Sequence, residues 1–361
     1  MTRRPFLSAM SVLLILTVVI LSLMVSVEAQ SADKFEVAWS VYAGWQPWDY
    51  ADYSKILSTW ATKYGIEITL TRMDYIASIE AYTAKQVDAC VMTNMDALAI
   101  PAASGISSTV VILGDFSNGN DALLVRDGLS ITGLRGKDIS LVELSVSQYL
   151  LTRALDKSDM KESDVSLLNT SDADIANAFI ADNKLKAVVT WNPMVMNIAQ
   201  EPGITKIFDS SSIPGEILDL MMVRTEVIDA DPDKRLAKAL TGAWYEVMGI
   251  MSKRGPLAND AMKVMAKSAN CTLKEYVMQL RTTAMFYKAS QAADFMEGAE
   301  IKAAMARVIE FCFSHNLLGE QARTADDVGV KYPDGTYQGD RTNVQIIFDS
   351  SYTQMAASSS L

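Results

Sequence analysis

Histidine is nearly absent from this chain: His315 is the single one among 361 residues. It falls near the end of a helix-like stretch, so a metal centre or a nucleophilic triad built on imidazole is not expected. Cysteine is almost as sparse. Cys90, Cys271 and Cys312 are scattered, lack metal-ligand spacing and cannot all pair with one another. Cys90 lies in an apolar strand-like run, the usual setting of a buried free thiol. No metal and no cofactor are therefore expected. Basic residues are outnumbered, 32 Lys and Arg against 43 Asp and Glu, for a net charge of −11. That balance argues against nucleic acid or an anionic membrane surface as partner, and favours a cationic or neutral ligand. No internal repeat of solenoid length is present.

What the chain does have begins with its N-terminus. Thr2-Arg3-Arg4 is a short basic region, and an apolar run follows from about Met10 to Met24. Val27-Glu28-Ala29 then offers small residues where signal peptidase reads them. The run is short and its exit polar, the pattern of a secretory signal peptide rather than a membrane span. Residues 1–29 are therefore expected to be removed near Ala29, leaving an exported, periplasmic protein.

From Phe35 onward strand-like and helix-like segments alternate. Phe35–Val41, Ile66–Thr71, Val87–Met92 and Ser108–Leu113 read as strands, with helices between them. The polar stretch Phe116–Asp121 breaks the rhythm. A second series follows, with strands near Ala122–Val125, Asp138–Val142, Val165–Leu168, Ala187–Thr190 and Lys206–Phe208. Ser145 and Gln148 fit a capping box that opens the helix after Ser145. A second break spans Asp209–Gly215, Leu218–Val223 is again a strand, and about Asp233 to Leu317 reads as nearly all helical. The tail from Arg323 reads as looser. This is an α/β chain of mainly parallel sheets. Two lobes are expected, lobe 1 from 35–117 and 218–361 and lobe 2 from 118–217, joined by a two-strand hinge around a ligand cleft.

Ligands of open α/β sheets sit beyond the carboxyl ends of the strands. Those ends carry Trp45, Trp48, Thr93, Asn94 and Asp115 in lobe 1, and Glu143, Ser145, Ser147, Thr190 and Trp191 in lobe 2. The set is aromatic, amide, hydroxyl and carboxylate, without Lys or Arg. An anion site would offer cationic side chains or helix N-termini. Rings with carboxylates suit a flat, nitrogen-rich cation instead, through stacking worth about 0.5–2 kcal/mol and charge-assisted hydrogen bonds worth about 1.5–3 kcal/mol. Urea, rich in N–H donors, also fits. The expected contacts are Trp45, Trp48, Asn94, Asp115, Glu143, Ser145 and Trp191. Tyr42 and Tyr50 flank the turn and are ranked behind Trp45 and Trp48. Asp96, in a helical first turn, reads more readily as a dipole-satisfying acid.

Several stretches carry a family resemblance: Tyr42–Trp48, Met92–Ala97, Gly114–Asp121, Val142–Ser145, Asn169–Asp174, Thr190–Pro193 and Phe208–Ser211. Over about residues 35–250 the chain resembles the solute-binding proteins of ABC importers associated with urea carboxylase, and more broadly the nitrate, sulfonate and taurine binding proteins. The resemblance implies a two-lobed, type II-like periplasmic-binding-protein fold with a helical C-terminal extension. It implies a monomer that is not an enzyme and that hands a urea-like or guanidinium-like solute to a membrane permease. The same scaffold also resembles thiamine-pyrimidine synthases, whose chemistry needs a histidine and metal-ligating cysteines that this chain does not supply.

Overall fold

Strands β3 (Ala89–Thr93) and β4 (Ser108–Ser117) are buried almost throughout. Their unbroken apolar runs suit central strands covered on both faces. They lie inside a nine-stranded sheet of order β13-β12-β14-β4-β10-β3-β1-β2, with β11 (Thr283–Met285) also paired to β4. The other members are β1 (Asp33–Trp39), β2 (Ile66–Arg72), β10 (Leu218–Arg224), β12 (Gly329–Lys331), β13 (Tyr337–Gln338) and β14 (Val344–Phe348). A second sheet of order β7-β6-β8-β5-β9 holds β5 (Ala122–Arg126), β6 (Asp138–Leu141), β7 (Ser166–Asn169), β8 (Ala187–Thr190) and β9 (Ile204–Asp209). The computed structural model describes residues 32–361, so the expected leader, residues 1–29, lies outside the described residues.

Direction changes where the chain crosses between sheets. β1 and β3 are parallel, as are β6 with β7 and β6 with β8. β10 runs antiparallel to both β3 and β4, and β5 antiparallel to both β8 and β9. The cause is geometric. A chain that leaves one sheet at its strands' carboxyl end enters the other from the same side, so the entering strand opposes its neighbours. Both crossings are therefore brought to the strand ends. There Ser117 and Ser210 hydroxyls meet at 2.7 Å, and Gly119 N–H donates to Ser210 Oγ at 2.7 Å. Ser117 N–H donates to the Ile217 carbonyl at 3.0 Å, and Ser210 N–H to that of Asp121 at 3.0 Å.

The C-terminal third departs from expectation. The tail is built into the large sheet: β14 lies parallel to β4, with Ile346 opposite Ser108, and β12 lies parallel to β14. Helix Ser351–Ala357 follows and packs on helices Ala289–Glu297 and Arg235–Met251. The stretch read as all helical contains β11, which pairs Met285 with Asp115. The segment after β3 is one short helical turn, Asn94–Ala97, followed by a π turn over Leu98–Ala102 that carries Pro101.

Candidate ligand site

The turn after β1 is tight because Trp45 N–H and Gln46 N–H both donate to the Tyr42 carbonyl, at 2.9 and 3.1 Å. Gly44 is needed within it. A Cβ there would stand 2.3 Å from Asp115 Oδ2 and 2.7 Å from the Tyr42 ring. The missing methyl lets the turn close onto the end of β4. Helix Gln46–Tyr53 then starts with Pro47 in its first turn, where a lost N–H costs nothing.

This turn forms one wall of a small, tightly closed cavity of ≈ 10 Å³. Tyr42, Trp45, Tyr75, Thr93 and Asp219 come from elements of the large sheet, and Asp121, Val146 and Trp191 from elements of the small one or its entry. Ile217, on the second crossing, completes the lining. A larger hollow beside Lys263, Lys267 and Glu275 opens on solvent.

Rings enclose much of the cavity. Tyr42 and Trp45 centroids lie 5.0 Å apart and tilted, Trp45 and Tyr75 5.5 Å, and Tyr75 meets Trp191 edge-on at 5.6 Å. These offset arrangements suit ring quadrupoles. Around them stand four buried acids, Asp96, Asp115, Asp121 and Asp219, each no more than 4% exposed. Tyr75 donates its hydroxyl to Asp96 Oδ2 at 2.5 Å, and Thr93 Oγ1 donates to the same oxygen at 2.8 Å. Tyr42 donates to Asp115 Oδ1 at 3.3 Å. Asp219 sits opposite both Thr93 on β3 and Asp115 on β4.

Among the described residues none of these acids has a cationic partner, and no Lys or Arg lines the cavity. Burial accordingly lifts their carboxyls far above the ordinary range. Asp96 is pushed up to about 6, and Asp115 and Asp121 to about 7. Asp219 rises well above its usual value, first through burial and then through the like charge of Asp115. Asp96 Oδ1, Asp115 Oδ2, Asp219 Oδ2 and Trp45 Nε1 are buried without a hydrogen-bond partner. Buried polar atoms are ordinarily satisfied, so such a group of orphans marks a place where something else supplies the bonds.

Of the expected contacts, the structure brings Trp45 and Trp191 into the lining and sets Asp115 directly behind Tyr42. The others stand elsewhere. Trp48 packs against Trp244, centroids 5.1 Å apart, in the hydrophobic core. The Asn94 amide is spent on the second crossing, donating to the Glu216 carbonyl and accepting from Leu218 N–H, both at 3.1 Å. Ser145 caps helix Val146–Asp156, accepting from Ser147 N–H at 3.1 Å and donating to the Val142 carbonyl at 2.7 Å. Glu143 is half-buried beside β7, its N–H bonded to Asn169 Oδ1, and is not part of the lining. His315 lies 2.6 Å from Glu162, on the far end of helix Ala299–Ser314.

Tyr75, Asp121 and Asp219 were not singled out from the sequence. Asp219 left a signal, since a lone acid inside Leu-Asp-Leu-Met-Met-Val is costly to bury without purpose. Asp121 was hidden among turn residues. Tyr75, at the first position of a helix, left none.

No family model and no curated protein matches the chain. Solved structures do. The chain is similar to the alkanesulfonate-binding protein SsuA of Xanthomonas axonopodis pv. citri bound to MOPS, at 15% identity and a TM-score of 0.65, over 80% of this chain and 95% of that one. The periplasmic aliphatic sulphonate binding protein SsuA of Escherichia coli gives 15% and 0.64, over 80% and 94%. The periplasmic nitrate-binding protein NrtA of Synechocystis PCC 6803 gives 10% and 0.56, over 91% and 99%. At these identities the likeness is one of fold: this chain has the two-lobed α/β fold of periplasmic binding proteins.

Proposed function

We propose that this protein is an exported solute-binding protein that closes on a small nitrogen-rich cation of the guanidinium class and delivers it to an ABC-type membrane permease. The fold supports the first half of this reading, because the similar structures are binding proteins of that kind. One observation carries the second half: four buried aspartates stand at a ring-lined cavity, Asp121 and Asp219 in its lining and Asp96 and Asp115 bonded behind Tyr75 and Tyr42, and among the described residues no Lys or Arg lines it. Burying unpaired carboxylates costs several kcal/mol each. A guanidinium repays that cost with N–H donors on every edge and a flat face for Trp45 or Tyr75. Sulfonate or nitrate, as the names of the similar proteins suggest, would meet four acids and no countercharge.

Urea is the second reading. Trp45 Nε1–H is buried and unpartnered. It can serve a carbonyl oxygen, which urea has and guanidinium lacks. Within either reading the large-sheet body, 35–117 with 218–361, and the small-sheet body, 118–217, act as the two jaws, and the protein works as a monomer without metal or cofactor. Calorimetric titration with guanidinium, urea and taurine is the direct test. Micromolar or tighter binding of guanidinium alone is the expected result; binding confined to taurine would overturn the ligand class.

A further inference from the structure

We infer that Asp172 is a positioning residue for ligand capture, tying closure of the cleft to the aromatic wall through the N-terminus of the helix that carries Tyr75. The inference rests on the reading of this cavity as the ligand site. Asp172 follows β7 on the small-sheet body, and Tyr75 opens helix Tyr75–Thr83 on the large-sheet body. Across 97 positions of sequence, Asp172 Oδ2 accepts the Tyr75 N–H at 3.1 Å.

Two features make this contact more than a chance approach. The first N–H groups of a helix have no partner inside it and are ordinarily capped by the residue just before. That residue, Asp74, has extended backbone geometry, yet its side chain makes no capping bond. The cap comes instead from the other body. Tyr75 is also the residue that joins the walls. Its ring touches both Trp45 and Trp191, and its hydroxyl holds Asp96. A negative carboxylate at a helix N-terminus is favoured by the helix dipole as well as by the bond itself.

Asp172 and Tyr75 stand on bodies joined by the two crossings, so a hinge that opens the cleft parts them. The bond belongs to the closed form, and a ligand held behind Tyr75 leaves after the bond has broken. Its loss acts on escape rather than on entry.

Stopped-flow tryptophan fluorescence with guanidinium, on wild type, Asp172→Ala and Asp172→Asn, tests this. Asp172→Ala is expected to raise the dissociation rate about tenfold, the effect of one charge-assisted bond, with the association rate changed less than about twofold. Asp172→Asn keeps an acceptor oxygen and loses the charge, so an increase of about threefold is expected. Dissociation rates equal to wild type in both variants would overturn the inference, as would a loss confined to association. Should wild type give no guanidinium response, the ligand assignment falls by itself. Spin labels at Tyr53→Cys and Leu168→Cys, exposed positions on the two bodies, in a Cys271→Ser background, then decide the latch. A longer inter-label distance in Asp172→Ala supports it, and an unchanged distance rejects it.

Discussion

Two groups of acids in this protein show opposite behaviour, one buried or half-buried and paired, the other fully buried and unpaired. Glu216, 7% exposed, is gripped by Arg153 through Nε at 2.9 Å and a second guanidinium nitrogen at 3.2 Å, and by the Tyr149 hydroxyl at 2.6 Å. Burial alone would raise its pKa, yet Arg153 and Tyr149 hold it below the usual value. Glu162 is lowered in the same way by His315, Gln148 and Thr152. The cavity aspartates are raised by burial that their hydrogen bonds offset only in part. Balanced acids fasten elements of the fold. Unbalanced acids keep their electrostatic cost in reserve for a ligand that brings the missing charge.

The sharpest way to break that comparison is to neutralise the reserve. Asp115→Asn combined with Asp219→Asn should weaken guanidinium binding about 100-fold or more in calorimetry, from two charge-assisted bonds of about 1.5–3 kcal/mol each. An unchanged Kd would mean that these acids do not face the ligand. Next in size is the balanced group. Arg153→Met leaves Glu216 with the Tyr149 hydroxyl and the more distant Arg307, at 3.8 Å, and should lower unfolding free energy in urea by about 2 kcal/mol, between the values for buried and exposed pairs. The unliganded Asp219→Asn protein should unfold at the same or higher urea concentration than wild type.

A third, intermediate effect is the pH dependence. The cavity acids have folded-state pKa values above the unfolded ones, at about 6 for Asp96 and about 7 for Asp115 and Asp121. Their contribution to the stability of the unliganded protein is complete below about pH 4 and is lost as pH rises through about 7. Affinity for a cation runs the other way, since deprotonation creates the countercharge. Thermal scans from pH 5 to 8 should show the unliganded melting temperature falling while the shift caused by guanidinium grows. Glu216 and Glu162, lowered on folding, lose their contribution only in acid, below about pH 4.5. The smallest effect is expected of Glu143→Gln, less than about twofold in Kd, because its side chain lies outside the lining. A tenfold loss there would restore Glu143 to the site and redraw the cavity.

Much of the architecture is legible in the residues themselves. Each strand of the small sheet falls within a few positions of a β-branched or apolar run. Trp45 and Trp191 follow from the rule that ligands gather at strand ends. What escapes has a physical reason. Trp48 looks like Trp45 until Trp244, nearly 200 residues later, arrives to cover it. Asn94 looks like a ligand amide until the returning chain at Glu216 and Leu218 takes both its donor and its acceptor. Asp96 in a first helical turn is indistinguishable from an acid serving its own helix. Val344–Phe348, five residues between polar turns, becomes a strand because β4 offers it a parallel edge.

The paired crossings carry a mechanical consequence. The two crossings are bonded to each other, the Ser117 hydroxyl to that of Ser210 and the Ser117 N–H to the Ile217 carbonyl. On the reading proposed above, a pair of connections tied in this way would bend about one line, as a door does, and the rings, the acids and Asp172 would come into register at a single angle.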